Sequence, residues 1–222
     1  MKAAALTPLK DSLTAKKNAF LEKAPSEKID SYNRGIDAVE TDGTLASAKK
    51  VGDAAPDFTL NDATGNPVTL SEVLKNGPVI LTWYRGGWCP YCNIALHYLQ
   101  EALPEFKAAG ASLIALTPEV PDNSLSTAEK HSLEFAVLSD LHNGVAREYG
   151  IVFKLIEEVA VAYQEGFDLH GYNGDESDEL PLAATYVIAT DGTIKWAFLD
   201  KDYRNRAEPA DILAAVEALE AD

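Results

Sequence analysis

The stretch PVILTWYRGGWCPYC, residues 78–92, leads from a continuous apolar run directly into the chain's only two cysteines. Residues 78–84 have the composition of a strand that is buried on both faces of a sheet. Gly86 and Gly87 favour a tight turn, after which Cys89 fits a helix cap and Pro90 fits the first helical position, where its missing N–H costs nothing. The stretch therefore predicts a buried strand, a turn and a helix that begins at the cysteines.

The spacing of Cys89 and Cys92 predicts a redox pair. Two residues separate them, so their thiols can form a disulfide across one helical turn. The helix N-terminus favours a thiolate, and cysteines at that place have pKa values of roughly 3.5–7.5 instead of about 8.5. A bond that closes so short a loop gains only about 2 kcal/mol of chain entropy. We therefore expect an easily opened disulfide and a catalytic role for both cysteines.

Three other roles for the cysteines compete with catalysis. A structural zinc site needs four ligands, and the sequence has neither a second C-x-x-C nor a histidine pair at ligand spacing. A structural disulfide is unnecessary in a chain long enough to build its own core. Two inert buried thiols would not need the preceding Gly86-Gly87 turn. The sequence thus predicts neither a metal nor a bound cofactor.

Composition and charge exclude several classes of partner. The chain has 222 residues, of which 46% are hydrophobic, and a net charge of −16. Nucleic acid and anionic membrane surfaces would be repelled over most of such a molecule. The first residues lack an apolar run long enough for a secretion signal, and no stretch reaches the ~18 apolar residues of a membrane span. We therefore expect a cytoplasmic protein that binds neither nucleic acid nor membranes.

The chain divides near residue 50. Apolar residues recur at helical spacing in residues 6–20 and 29–39, which predicts an N-terminal helical extension over 1–50. This extension could be a dimerisation arm that makes a homodimer, a lid over the redox site, or a helical hairpin packed on its own domain.

Residues 51–222 alternate between strands and helices. Hairpins are predicted around residues 63–66 and around Asp191-Gly192, strands at 111–116 and 135–138, and a last helix from Pro209. A helix is predicted to start at Lys154, and residues 170–179 are expected to form a solvated acidic loop. The pattern predicts a thioredoxin-like α/β fold, in which a central mixed sheet is flanked by helices.

Residues 51–196 resemble the peroxiredoxins, the group that includes alkyl hydroperoxide reductase and thiol-specific antioxidant proteins. The resemblance rests on motifs at residues 52–60, 68–71, 135–140, 145–150 and 184–192. Trp88-Cys89-Pro90-Tyr91-Cys92, in contrast, resembles the redox motif of thioredoxins and glutaredoxins. The resemblance implies a peroxidase that works by a dithiol–disulfide cycle.

The family register departs from the peroxiredoxin pattern at the site itself. Peroxiredoxins carry a Pro-x-x-x-Thr-x-x-Cys motif, which would put Arg85 in place of proline, Cys89 in place of threonine and Cys92 at the peroxide-reducing cysteine. A later family arginine would fall at Ala183. The register thus implies that Cys92 attacks, whereas the helix-end argument favours Cys89 as the more exposed thiol.

Three further residues are expected to support the cysteines. A guanidinium at Arg85 could stabilise the thiolate and bind a peroxide oxygen, although a merely solvated arginine is the alternative. Trp88 is expected to shield one side of the thiols, and Pro90 to start the helix.

These features lead to three functional hypotheses. The first is an antioxidant oxidoreductase that reduces hydroperoxides through a Cys89/Cys92 disulfide, which thioredoxin, glutaredoxin or glutathione then reduces. The second is a disulfide reductase of the thioredoxin or glutaredoxin kind. The third is a redox-sensing interaction protein without enzymatic activity.

Overall fold

A computed structural model describes residues 8–62 and 65–219 of the chain. Its helices are α1 (Leu9–Lys23), α2 (Ser26–Thr41), α3 (Thr44–Ser47), α4 (Leu70–Leu74), α5 (Pro90–Ala108), α6 (Pro121–Lys130), α7 (Gly144–Glu148), α8 (Glu157–Phe167), α9 (Leu169–Asn173) and α10 (Pro209–Ala218). Its strands are β1 (Thr59–Asn61), β2 (Pro67–Thr69), β3 (Val79–Trp83), β4 (Ser112–Thr117), β5 (Ala136–Ser139), β6 (Val152–Lys154), β7 (Glu179–Pro181), β8 (Thr185–Ile188) and β9 (Ile194–Phe198).

A five-stranded mixed sheet lies at the centre, in the order β5-β4-β3-β8-β9. Strands β3, β4 and β5 are parallel, and β8 and β9 form the antiparallel side. Every residue of β3 is buried, as its continuous apolar run predicts. The arrangement confirms the predicted fold class, a central mixed sheet flanked by helices.

The two faces of β3 belong to two hydrophobic clusters. Val79 and Leu81 face one cluster, and Ile80 between them faces the other, because successive side chains of a strand alternate. Helices α1, α5 and α10 cover the face of Ile80, and both cysteines lie in that layer. The redox pair is therefore built into the core between the sheet and a helical layer.

The first two helices pack on the rest of the chain. In α1, Leu9 and Leu13 are buried against α5, and the Glu208 carboxylate accepts the backbone N–H groups of Leu9 and Lys10 at 2.9 and 2.7 Å. Helix α2 packs against α8, where Arg34 forms a two-pronged ion pair with Glu158. For residues 8–50, packing on the rest of the chain is observed, while the lid role, homodimer formation and the boundary at residue 50 stay predictions. The first predicted apolar position, Leu6, lies outside the described residues.

The segment 154–180 differs from the prediction. Lys154 ends β6 instead of starting a helix. The expected acidic loop overlaps most of α9 at one end and, at Glu179, the start of β7, which pairs with β6. The reason is local: Asp168 adopts a left-handed conformation with φ of 59°, and its carboxylate accepts the Gly171 N–H at 3.2 Å. This cap starts a short helix where composition alone indicates loop.

In the two described ranges, no helix combines the length and the apolar character that a membrane span needs.

Candidate active site

The strand β3 delivers the chain to a sharp turn and then to α5. Cys89 is the N-cap of α5 and Pro90 is its first residue, as predicted, and the Cys89 N–H donates to the Gly86 carbonyl at 3.0 Å. Gly86 has φ of 153°, and a Cβ there would come within 2.2 Å of the Trp88 indole nitrogen. The turn therefore requires glycine at this position. The Cys89 sulfur does not cap the helix as expected.

Both cysteines are free thiols and both are buried. Cys89 is 1% exposed and Cys92 is 0% exposed, so the expected difference in exposure between the two thiols is almost absent. Both belong to the apolar cluster that α5 shares with residues of α1 and α10. Cys89 nevertheless borders a cavity of about 490 Å³, and Cys92 lies behind it, outside the residues that line the cavity.

The electrostatic environment separates the two thiols. Burial raises the pKa of Cys92, but a hydrogen bond from Cys89 and the positive charges of Arg206 and Arg85 outweigh it and hold that pKa well below its usual value. The Arg206 guanidinium donates to the Cys92 sulfur at 3.2 Å. Burial and the neighbouring Cys92 sulfur raise the pKa of Cys89 well above normal. The structure thus favours a thiolate at Cys92 and a thiol at Cys89.

Arg85 is buried among aromatic rings. It is 1% exposed, and its guanidinium lies 4.0 Å from the ring centre of Tyr203, 4.9 Å from Trp88 and 5.2 Å from Tyr163. It also donates to the Tyr163 hydroxyl at 2.7 Å. The alternative of a solvated arginine is therefore wrong, because the rings replace water around a cation.

Trp88 and Pro90 lie beside Cys89 on the wall of the cavity. The indole of Trp88 stacks on Phe167 with ring centres 4.4 Å apart and contacts Tyr163 at 5.3 Å. Tyr163 and Phe167 belong to α8, so the segment between β6 and β7 helps to enclose the redox pair. Pro90 starts the helix as predicted, and the shielding of the thiols by Trp88 stays a prediction.

Glu119, just after β4, is a buried carboxyl under the redox turn. It is 0% exposed, and one of its oxygens accepts the Gly87 N–H at 3.0 Å. Burial, together with the charge at Cys92, raises its pKa to about 7. A proton is therefore exchanged near neutral pH next to the turn that holds the cysteines.

We expect Glu119→Gln to change how stability depends on pH. Folding raises the pKa of Glu119 from 4.5 to about 7, so the folded chain binds more protons in that range, and stability falls as pH rises through it. A glutamine keeps the acceptor for Gly87 without the charge. At pH 8 the variant should be more stable than the wild type by about 3 kcal/mol, with little difference at pH 4. Urea unfolding at both pH values measures this, and an equal difference at the two would contradict it.

Comparison with known proteins shows the family to which the chain belongs. A model described as "AhpC/TSA family" matches residues 51–197, which is more than half of the chain. The chain belongs to the AhpC/TSA family. This confirms the predicted resemblance to peroxiredoxins.

Individual relatives agree with the family. "Peroxiredoxin Q, chloroplastic" of Gentiana triflora is 29% identical over 158 residues, which cover 71% of this chain but only 60% of that protein. Its counterpart from Arabidopsis thaliana is 26% identical over 179 residues, covering 81% of this chain and 70% of that protein. The crystal structure of Peroxidoxin BcpB from Mycobacterium tuberculosis superposes with a TM-score of 0.61 at 25% identity, covering 77% of this chain and 97% of that one.

Arg206 was not found by sequence reasoning. It lies in the irregular segment between β9 and α10, 114 residues after Cys92, and no motif surrounds it. One signal was present: the position expected for the family's later arginine holds Ala183. Without an arginine at position 183, another residue must stabilise the thiolate. The sequence does not indicate that Arg206 is that residue.

The described residues contain no cluster of three or more histidine, cysteine or acidic side chains placed to hold a metal ion.

Proposed function

We propose that this protein reduces hydroperoxides, with Cys92 as the attacking sulfur and Cys89 as the resolving one. The observation that carries the proposal is the Arg206 guanidinium at 3.2 Å from the Cys92 sulfur. A thiolate is the reactive form of cysteine, and this contact favours the thiolate in a buried place where it would otherwise be protonated. Membership of the AhpC/TSA family supports the same reaction.

In the first step, the Cys92 thiolate attacks the terminal oxygen of the hydroperoxide. An S–O bond forms and the O–O bond breaks, so the sulfur is oxidised to sulfenic acid and the leaving alkoxide takes a proton to become an alcohol. The Cys89 thiol, which donates a hydrogen bond to the Cys92 sulfur, supplies that proton. Arg206 and Arg85 stabilise the negative charge as it moves from the sulfur to the leaving oxygen.

In the second step, the Cys89 thiolate attacks the Cys92 sulfur. An S–S bond forms, and hydroxide leaves and takes a proton from solvent to become water. Overall, one thiolate, one thiol, one hydroperoxide and one proton give a disulfide, an alcohol and water. Two electrons from an external thiol then restore the pair. We propose thioredoxin, glutaredoxin or glutathione for this role, in a reducing compartment such as the cytoplasm.

Reduction of disulfides is the second candidate, and the Cys-Pro-Tyr-Cys motif favours it. Arg85, Cys89 and Ala183 also occupy three positions at which the peroxiredoxin pattern has other residues. Burial of both sulfurs in the reduced protein opposes it, because a protein disulfide would have to reach a thiolate of the reduced pair, whereas the proposed reductants act on the oxidised pair. A redox sensor that acts through α1 and α2 is the third candidate, since both helices border this cavity.

Turnover on two substrates separates these candidates. We expect the reduced protein to consume cumene hydroperoxide at least about 10²-fold faster than it reduces a protein disulfide such as that of insulin, with thioredoxin and its reductase as the common electron source. The two rates are followed by NADPH oxidation and by insulin turbidity. Faster insulin reduction would favour the second candidate, and no turnover of either substrate would favour the third.

A further inference from the structure

The cavity beside Cys89 is positively charged in a strongly acidic protein. Lys16, Lys23 and Lys28 stand at its border and Arg85 lies on its wall, while the described residues that border it include no aspartate or glutamate. The chain as a whole has 35 acidic and only 19 basic residues. The charge of the side chains that border this cavity is therefore opposite to the net charge of the chain. This difference indicates that the cavity binds a ligand.

The contacts of these cations in the described part of the chain are to aromatic side chains and not to carboxylates: Lys28 lies 5.6 Å from the ring centre of Tyr32, and Arg85 lies among three rings. Among the described residues, no carboxylate forms an ion pair with any of the three lysines or with Arg85. The Nε–H of Arg85 is buried and, in the described part of the chain, has no acceptor. Two cations, Arg85 and Arg206, also lie near a single thiolate at Cys92. The positive charges around the site thus outnumber the negative charge of the Cys92 thiolate.

The wall between the lysines and Cys89 is aromatic. Phe20 of α1 stacks on Tyr32 of α2 with ring centres 5.7 Å apart, and Tyr32 meets Tyr163 edge-on, also at 5.7 Å. Trp88 and Phe167 continue this surface towards the cysteine. Such rings bind an apolar or aromatic body. The volume of about 490 Å³ is in the range of small-molecule sites and far exceeds what hydrogen peroxide requires.

We propose, on the basis of the function above, that this cavity selects organic hydroperoxides that carry a carboxylate. The peroxide group points towards the cysteines, the apolar body lies along the aromatic wall, and the carboxylate meets the lysines of α1 and α2. The helices that supply these lysines precede residue 51, where the family match begins. The substrate preference is therefore a property of the extension, not of the family domain.

The test uses two substrates that differ by one charge. 4-Carboxycumene hydroperoxide and its methyl ester have the same reactive group and nearly the same size. Stopped-flow oxidation of the pre-reduced protein follows a single turnover, so the external thiol takes no part. We expect the second-order rate constant of oxidation to be about fivefold to tenfold higher for the acid. Each exposed lysine attracts the carboxylate only weakly, but the three act together. Raising the salt concentration to 0.5 M should reduce that ratio.

A triple variant assigns the effect to the lysines. In Lys16→Met/Lys23→Met/Lys28→Met we expect the acid-to-ester ratio to fall close to one. The control triple variant Lys107→Met/Lys130→Met/Lys195→Met makes the same change in net charge at exposed positions that do not border the cavity. It should keep the wild-type ratio. An equal fall in both variants would mean that only overall charge matters, which would overturn the proposal.

A binding measurement separates this inference from the proposed function. 4-Isopropylbenzoate has the body and the carboxylate without the peroxide, and its binding near Trp88 can be followed by tryptophan fluorescence. We expect it to bind more tightly than its methyl ester in the wild type but not in the lysine variant. If no hydroperoxide is turned over, the proposed function fails. If hydroperoxides are turned over but acid and ester react and bind alike, only the carboxylate preference fails.

Discussion

Cys92→Ser is expected to abolish peroxide reduction, whereas Cys89→Ser is expected to stop it after one turnover. Cys92 holds the thiolate because Cys89 and Arg206 both donate hydrogen bonds to its sulfur. A serine hydroxyl in its place stays protonated and cannot attack. The loss should be at least about 10³-fold, as when other catalytic nucleophiles are removed.

The Cys89→Ser variant keeps the attacking sulfur and a hydroxyl that can donate to it. It should consume one equivalent of peroxide and accumulate a sulfenic acid at Cys92, because no neighbouring thiol resolves it. Dimedone labelling and intact-mass analysis detect that species. Cys89→Thr, which restores the residue that the peroxiredoxin pattern has at this position, should behave in the same way.

The opposite result is equally clear to detect. If Cys89 attacks, as its place at the helix end first suggested, Cys89→Ser loses the first turnover and dimedone labels Cys89 in Cys92→Ser. Full peroxidase turnover in both single variants would exclude the dithiol cycle altogether. The Cys89→Ser/Cys92→Ser double variant, which has no sulfenic acid for dimedone to label, gives the background of the mass measurement.

The local part of the site could be predicted from the sequence because its causes are local. The apolar run of β3 and the glycines after it act through neighbouring residues, as does Pro90, which fits the first turn of a helix. These features sufficed to place Cys89 at the cap of α5. The order of strands and helices likewise predicted the mixed sheet, since each element has its own periodicity.

The chemical part of the site depends on contacts between distant residues. Arg206 meets Cys92 across 114 positions, and Arg85 meets Tyr163 across 78. Whether an arginine is solvated or caged by aromatic rings depends on how α8 and the segment around Tyr203 pack, which no local pattern reveals. Burial of Cys89 also depends on distant residues, because its apolar cluster includes residues of α1 and α10 from opposite ends of the chain. Helix-end electrostatics alone favour a thiolate at Cys89, whereas these contacts favour one at Cys92.

Arg206→Met is expected to be the most damaging change outside the cysteines. The guanidinium is a charged donor to the Cys92 sulfur, so its loss raises the pKa of that thiol and also removes a stabilising charge from the transition state. The rate of peroxide reduction at pH 6 should fall about 10²-fold, the usual effect of removing one such donor. Stopped-flow oxidation of the reduced protein measures it.

The pH profile distinguishes this role from a structural one. A lowered pKa keeps Cys92 ionised as the pH falls, so the wild type should lose activity only well on the acid side. In Arg206→Met the acid limb should move to higher pH, and the deficit at pH 9 should be smaller than at pH 6 because the thiol then ionises without help. Thiolate absorbance at 240 nm reports the same shift without any turnover.

Two further variants test whether the charge of Arg206 and its position beside Cys92 are responsible. Arg206→Lys keeps the positive charge near the sulfur and should recover part of the rate and most of the pH profile, since a charge without the fork geometry still favours the thiolate. Arg147→Met removes a cation whose partner is Glu179 on the other face of the sheet, and should leave both unchanged. An Arg206→Met variant that loses activity equally at every pH, with an unshifted thiolate titration, would show that Arg206 holds the segment before α10 in place and leaves the charge of Cys92 to Arg85 and Cys89.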